Sequence, residues 1–313
     1  MKEIFRSVCV MVAMMITSSC NKDGVITQPV EEHYRAKTES SKADWSAVYD
    51  YTPAPGQFIG DTRTGGFSGK ESTMADAIAY AEERLAKGTF VSLGGFGGYV
   101  VAGFDHSIDN EVGYDIAIKG NAFDGSSEPG IVYVMQDANG NGKPDDEWYE
   151  LRGSETGKAE TLRNYSITYY RPAEEGQPVV WSDSEGNEGE IDYLGQYHSQ
   201  PCYYPTWIKA DSYTLSGSCL KAQNYDKSGY GTMWILPAYD WGYADNFSSQ
   251  DCLEKDKKVN LFDISNAIDT EGDGVELKYI DFVKIQTACN TESGWLGEMS
   301  TEVCGIYDYT MRE

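Results

Sequence analysis

From about residue 89 onward, apolar and polar positions alternate in short bursts separated by Gly-, Asp- and Asn-rich turns. Tyr114, Ile116 and Ile118 alternate with Asp115, Ala117 and Lys119; Tyr165, Ile167 and Tyr169 repeat the pattern, as do Tyr213 and Leu215. Side chains of a strand project to opposite faces in turn, so a period of two marks half-buried antiparallel strands. Three runs, 99–104, 131–135 and 279–285, are apolar on both faces and are expected to be central strands covered on both sides. The stretch 72–87 has a different period and predicts a helix. Thr73 can cap it, Asp76 can close a capping box, Met74, Ile78 and Leu85 fall near one face, and Gly88 stands where the chain leaves it. No internal repeat is present to build a propeller or a solenoid. The pattern therefore predicts an all-β chain, an antiparallel β-sandwich of jelly-roll type with one short helix packed on it.

The N-terminus follows neither period. Lys2 and Arg6 precede an apolar run at 8–16, and Thr17, Ser18 and Ser19 lead into Cys20. The run is too short to span a bilayer and reads as a signal peptide. Small residues directly before a cysteine resemble a bacterial lipobox, which implies cleavage after residue 19 and lipidation of Cys20. Residues 20–48 are polar with mixed charges and read as a tether, and 49–313 as a single domain whose packing starts near Trp45, Tyr49 and Tyr51. With 25 Lys plus Arg against 50 Asp plus Glu, the net charge of −25 argues against nucleic acid as a partner and against an anionic membrane surface. Contact with the membrane is then expected through the lipid anchor only. Hydrophobic residues at 40% and charged ones at 24% describe a globular chain. Beyond Cys9 and Cys20, five cysteines remain. Cys202 with Cys219, or Cys289 with Cys304, would close loops each worth about 3 kcal/mol; buried reduced thiols are the alternative.

Among candidate sites, the segment Asp137, Asn139, Asn141, Lys143, Asp145 and Asp146 is the most specific. Oxygen side chains recur at alternate positions with Gly142 at the sixth, as in an EF-hand-like loop, and the Lys143 carbonyl can serve as a further ligand. The expected ion is a structural Ca2+. The twelfth position is Trp148 where the pattern has Glu, so an acid nearby must replace it. The stretch Asp269, Glu271, Asp273 and Glu276 reads as a solvated turn. Two ring clusters, Tyr203, Tyr204 and Trp207, and Trp234, Trp241 and Tyr243 with Asp245 and Asn246, are candidates for stacking on a sugar or a flat macrocycle; filling the core is the alternative reading. Asp105, His106 and Ser107 do not make a triad, because strand neighbours face opposite ways and triads assemble from distant segments. Gly94 to Gly98 lacks the lysine of a phosphate loop. Fifty acids neither support nor exclude a two-carboxylate glycosidase.

Three stretches taken together carry a family resemblance: VSLGGFGGYVVAGFDH at 91–106, GNAF at 120–123 with SEPGIVYVMQD at 127–137, and WGYADN at 241–246. They resemble the Bacteroidetes cell-surface lipoproteins of the PKD-like kind, over roughly residues 50–309. The resemblance implies a β-sandwich lipoprotein on the outer membrane, beside a TonB-dependent transporter, and in some members a role in corrinoid uptake. It implies no catalytic residues. The expected function is ligand capture for that transporter, without enzymatic activity, with a corrinoid as first candidate ligand and a glycan as second. A surface glycan hydrolase and an adhesin are the alternatives.

Overall fold

Alternation and turn chemistry dominate the architecture. The computed structural model describes residues 26–27 and 33–312; Cys20 and the leader before it lie outside them. The strands of three or more residues are β1 (Ala47–Thr52), β2 (Tyr99–Asp109), β3 (Ile116–Lys119), β4 (Gly130–Met135), β5 (Tyr149–Leu151) and β6 (Leu162–Tyr170), followed by β7 (Val179–Asp183), β8 (Glu188–Ile191), β9 (Ser212–Cys219), β10 (Asp256–Phe262), β11 (Tyr279–Thr287) and β12 (Gly305–Asp308). One helix, α1 (Met74–Ala86), stands between β1 and β2. A six-stranded sheet runs Ala267–Ile268, β5, β4, β11, β2, β1; a four-stranded one runs Cys252–Leu253, β10, β3, β12; a second four-stranded one runs β8, β7, β6, β9. Every pair within these three sheets is antiparallel.

The three runs apolar on both faces are β2, β4 and β11, and they lie side by side at the centre of the six-stranded sheet, as their composition predicts. Val100, Ala102, Val132, Val134, Val283 and Ile285 point inward and pack against Ile116, Ile118, Phe262 and Ile306 of the first four-stranded sheet. This is the sandwich. The second four-stranded sheet builds a core of its own from Tyr165, Ile167 and Tyr169 of β6, Val179 of β7 and Leu215 of β9.

The helix begins at its capping box. Thr73 accepts the N–H of Asp76, and the Asp76 carboxylate accepts the N–H of Thr73. Gly88 leaves it at φ +62°, in the region that favours glycine. Its buried face is Ala77, Tyr80, Ala81 and Leu85; Met74 is exposed, so the face is rotated from the one the sequence implies. Tyr80 stacks on Phe67 at 3.7 Å between centroids, and Phe67 stacks on Trp207 at 5.5 Å.

The packed chain starts earlier than residue 49. Arg35 donates to Asp281 Oδ1 (2.9 Å) and to the Phe104 carbonyl, Lys37 pairs with Asp308, and Asp44 bridges Tyr307. Part of the expected tether is therefore a strap along the sandwich. Among the described residues no helix is long and apolar enough to cross a membrane.

A candidate binding groove over Lys284

Tyr99 and Val101 of β2, Lys284 and Gln286 of β11, Tyr133 of β4 and Glu150 of β5 belong to the outer face of the six-stranded sheet, opposite the inward residues above. Strand β9 crosses this face. Gln286 Nε2 donates to the Ser216 carbonyl (3.1 Å), Ser218 N–H to the Tyr133 hydroxyl (3.4 Å), and Ser218 Oγ to Glu150 Oε2 (2.6 Å). Gly217 fits there because a Cβ would run into Gln286 and the Tyr133 hydroxyl.

Two cavities flank the crossing, one of ≈ 600 Å³ and one of ≈ 450 Å³. They share Trp148, Ser216 and Lys284, which makes them one groove with Lys284 on its floor. Tyr99, Tyr213 and Asp50 line one end; Glu150, Arg163, Asn164 and Asp269 line the other.

The Lys284 ammonium lies 4.2 Å from the ring centre of Tyr133, 5.2 Å from Trp148 and 5.8 Å from Tyr99. Ring quadrupoles attract a cation but compensate a lost hydration shell only in part. Burial accordingly pushes the ammonium down to about 8, against the pull of Glu150 and Asp50. Neither acid reaches Lys284 closely enough for an ion pair: Asp50 is taken by the Thr52 (2.8 Å) and Tyr99 (2.9 Å) hydroxyls, Glu150 by Ser218. Burial holds the Glu150 carboxyl above its ordinary range, opposed by that hydrogen bond. The floor thus offers a desolvated cation, three rings and two acids.

The loop from Asp137 to Asp146 borders the groove, since Pro144 and Trp148 are part of its lining. Asp137 Oδ2 accepts the N–H of Gly142 (2.8 Å), which sits at φ +72°, and Oδ1 accepts that of Asn141 (3.0 Å). Asn139 and Asn141 turn their amide nitrogens toward Asp145 and Asp146. Asn139 Oδ1 and Asn141 Oδ1 accept backbone N–H groups, and Lys143 lies exposed in the same turn. The loop is closed on itself by these bonds: its amide oxygens are taken by backbone N–H groups and its amide nitrogens face the acids, so its oxygens are not gathered at one point.

The ring clusters are placed differently from the expectation of a stacking surface. Tyr203, Tyr204, Trp207 and Tyr243 are buried, as are Asp245 and Asn246. The Tyr203 hydroxyl donates to the His198 carbonyl, Tyr204 to that of Ala210, and Tyr243 accepts the Glu155 N–H. Trp207 belongs to the stack under α1. Asn246 holds the Tyr239 backbone through both its oxygen and its nitrogen. These residues fill cores and tie loops, so they do not form an exposed platform. Trp234 is half-buried against Gly294. Two of the eight line cavities: Trp241 one of ≈ 400 Å³, together with Tyr114, Arg152 and Asp251, and Trp207 one of ≈ 440 Å³, together with Asp61, Arg63 and Gln200.

A second cluster lies inside the molecule. One carboxylate oxygen each from Glu128, Asp245 and Glu302 fall within 4.8 Å of one another. All three carboxyls are held above their ordinary ranges, by burial first; the Asp245 charge next raises Glu128, and those of Glu128 and Asp245 raise Glu302. Asp245 is raised less, because the N–H groups of Glu302, Asn121 and Ala122 favour its charged form.

His106 is buried between Asp105 (2.6 Å) and Asp308 (2.8 Å), while Ser107 donates to Asp281, so the three neighbours serve two faces and form no triad. All five cysteines among the described residues are free thiols, so neither pair that loop length singles out is joined. No protein-family model matches the chain, and no curated protein is similar to it.

Sequence reasoning passed over Lys284 and Trp148. Both left a signal: Lys284, like Asp281, interrupts an otherwise apolar run, and Trp148 occupies the position where the loop pattern breaks.

Proposed function

We propose that this protein is a non-enzymatic surface lipoprotein, anchored through Cys20 in the outer membrane, that captures a ligand in the Lys284 groove for a TonB-dependent transporter. The observation that carries this reading is the Lys284 ammonium, ringed by Tyr99, Tyr133 and Trp148 and without an ion-pair partner on the floor of the groove. A desolvated cation among rings gains most from a ligand that presents both a flat face and an anionic oxygen. A corrinoid combines a macrocycle with a phosphodiester and is the first candidate; an acidic glycan, with sugar faces and carboxylates, is the second. Calcium in the Asp137–Asp146 loop would fix Pro144 and Trp148 at the rim.

The test is calorimetric titration of the chain from residue 21 with cyanocobalamin. Binding near one per chain is expected, weakened at least tenfold by Trp148→Ala and by Lys284→Met. Binding that survives both substitutions puts the site elsewhere. No cyanocobalamin binding, with retention on an acidic polysaccharide gel that is lost in the same variants, makes the ligand a glycan.

A further inference from the structure

Glu128 precedes β4, Asp245 ends the turn after Trp241, and Glu302 lies in the two-residue strand Glu302–Val303. Segments more than fifty residues apart along the chain thus bring three carboxylates to one point. Oxygens no more than 4.8 Å apart can all be reached from one position within about 2.8 Å, and calcium–oxygen bonds run about 2.3–2.6 Å, so a contraction of a few tenths of an ångström brings all three to bonding distance, the rest of the shell being left to backbone oxygens and water.

The surroundings orient the trio, and the only positive charge felt by Asp245 among its main influences is that of Lys258, at a distance. Asp245 Oδ1 accepts the N–H groups of Asn121 (2.7 Å) and Ala122 (2.8 Å), and Oδ2 accepts that of Glu302 (2.9 Å). Glu128 Oε1 accepts the N–H of Ser300 (3.3 Å). Glu302 is 3% exposed and its Oε1 is buried with no hydrogen-bond partner. Among the described residues no Lys, Arg or His forms an ion pair with any of the three. A buried carboxylate oxygen left alone is costly, and three acids at one point are more so. Asp245 also stands at φ +50°, a conformation that costs a non-glycine residue energy and that aims both its oxygens at fixed backbone donors. Glu128 is only half-buried, which leaves a way in from solvent.

We propose that Glu128, Asp245 and Glu302 are ligands of a hard divalent cation, calcium by size, that ties Glu302–Val303 and the start of β4 to the turn at Asp245. The donors are all oxygen, which disfavours the soft metals. The site is separate from the Asp137–Asp146 loop and from the groove, and its fate does not depend on theirs.

The experiment silences the loop first, with Asp145→Asn and Asp146→Asn in the chain from residue 21. After chelation and desalting, this protein is titrated with calcium chloride and melted with and without it. One calcium per chain and a calcium-dependent rise in Tm are expected. Adding Glu302→Gln, close in shape, should weaken that binding at least tenfold; the half-buried Glu128→Gln gives the same reading if the first variant does not fold. A loop-silenced chain that binds no calcium overturns the proposal, because its carboxyls then hold protons only. Binding that persists at full strength in a folded Glu302→Gln or Glu128→Gln variant overturns it equally.

Discussion

Lys284 costs the fold something, and among the described residues three rings and two distant acids offset that cost only in part, with no ion pair. Its ammonium, pushed down to about 8 by burial, should be visible by carbon NMR after reductive methylation as a single lysine titrating near pH 8. Glu150→Gln removes a negative charge that favours the ammonium and should move that midpoint lower still; a midpoint in the ordinary lysine range would mean a solvated amine. The linkage has a definite sign. Between about pH 8 and the ordinary lysine range the unfolded chain binds the extra proton, so this group makes stability rise with pH there. Below about pH 8 the penalty is present in full, and Lys284→Met should stabilise the chain at pH 7 by on the order of 2 kcal/mol in denaturant unfolding while weakening the proposed ligand binding. Trp207 behaves in the opposite way. As part of the stack with Phe67 and Tyr80, its replacement by Ala should cost about 3–5 kcal/mol in the same unfolding measurement and leave the groove residues where they are. Composition could not separate these cases. Trp207 and Trp148 are the same residue type in equally aromatic company, and only the third dimension decides that one faces a helix and the other a groove.

At the scale of elements, the helix and the central strands were legible because each has a local cause. Thr73 and Asp76 are three residues apart and meet within one turn, so the capping box needs nothing from the rest of the fold. Thr73→Ala should cost about 1 kcal/mol, read as a lower denaturant midpoint with an unchanged slope; no loss would mean that the end of α1 is held by packing instead. The runs that became β2, β4 and β11 announced double-sided burial by lacking polar alternation. What remained illegible was pairing. That β9 lies across β11 and β4, with Gly217 at the crossing, depends on contacts between segments about seventy residues apart, for which one sequence carries no signal. The same holds for Glu128, Asp245 and Glu302. Each looks like one acid among fifty until the fold brings their oxygens together.

For the whole molecule, the decisive departure from the sequence pattern is the strap ahead of β1. The mostly polar residues 33–46 predict a solvated tether, whereas their charged groups bind the sandwich. Arg35 faces Asp281, which is fully buried and also accepts from Ser107 Oγ (2.6 Å) and from the N–H of Asp137 (2.8 Å), so the strap, β2, β11 and the acidic loop share one carboxylate. Arg35→Ala should lower stability by about 1–3 kcal/mol, discounted because the guanidinium is partly exposed, and should also weaken calcium binding by the loop through Asp137; a variant with unchanged unfolding would show the strap to be ornamental. The N-terminal segment also sets a leash. With the anchor proposed at Cys20, a chain free as far as residue 48 would let the sandwich roam about 100 Å from the membrane, at the limit of a fully extended backbone. Because Ile26–Thr27 already pairs with Val275–Glu276, that radius falls to about 20 Å. Under the proposed anchoring, a domain on so short a lead would sample a small volume and return often to the same patch of membrane, which would favour delivery to a fixed neighbour over foraging at a distance.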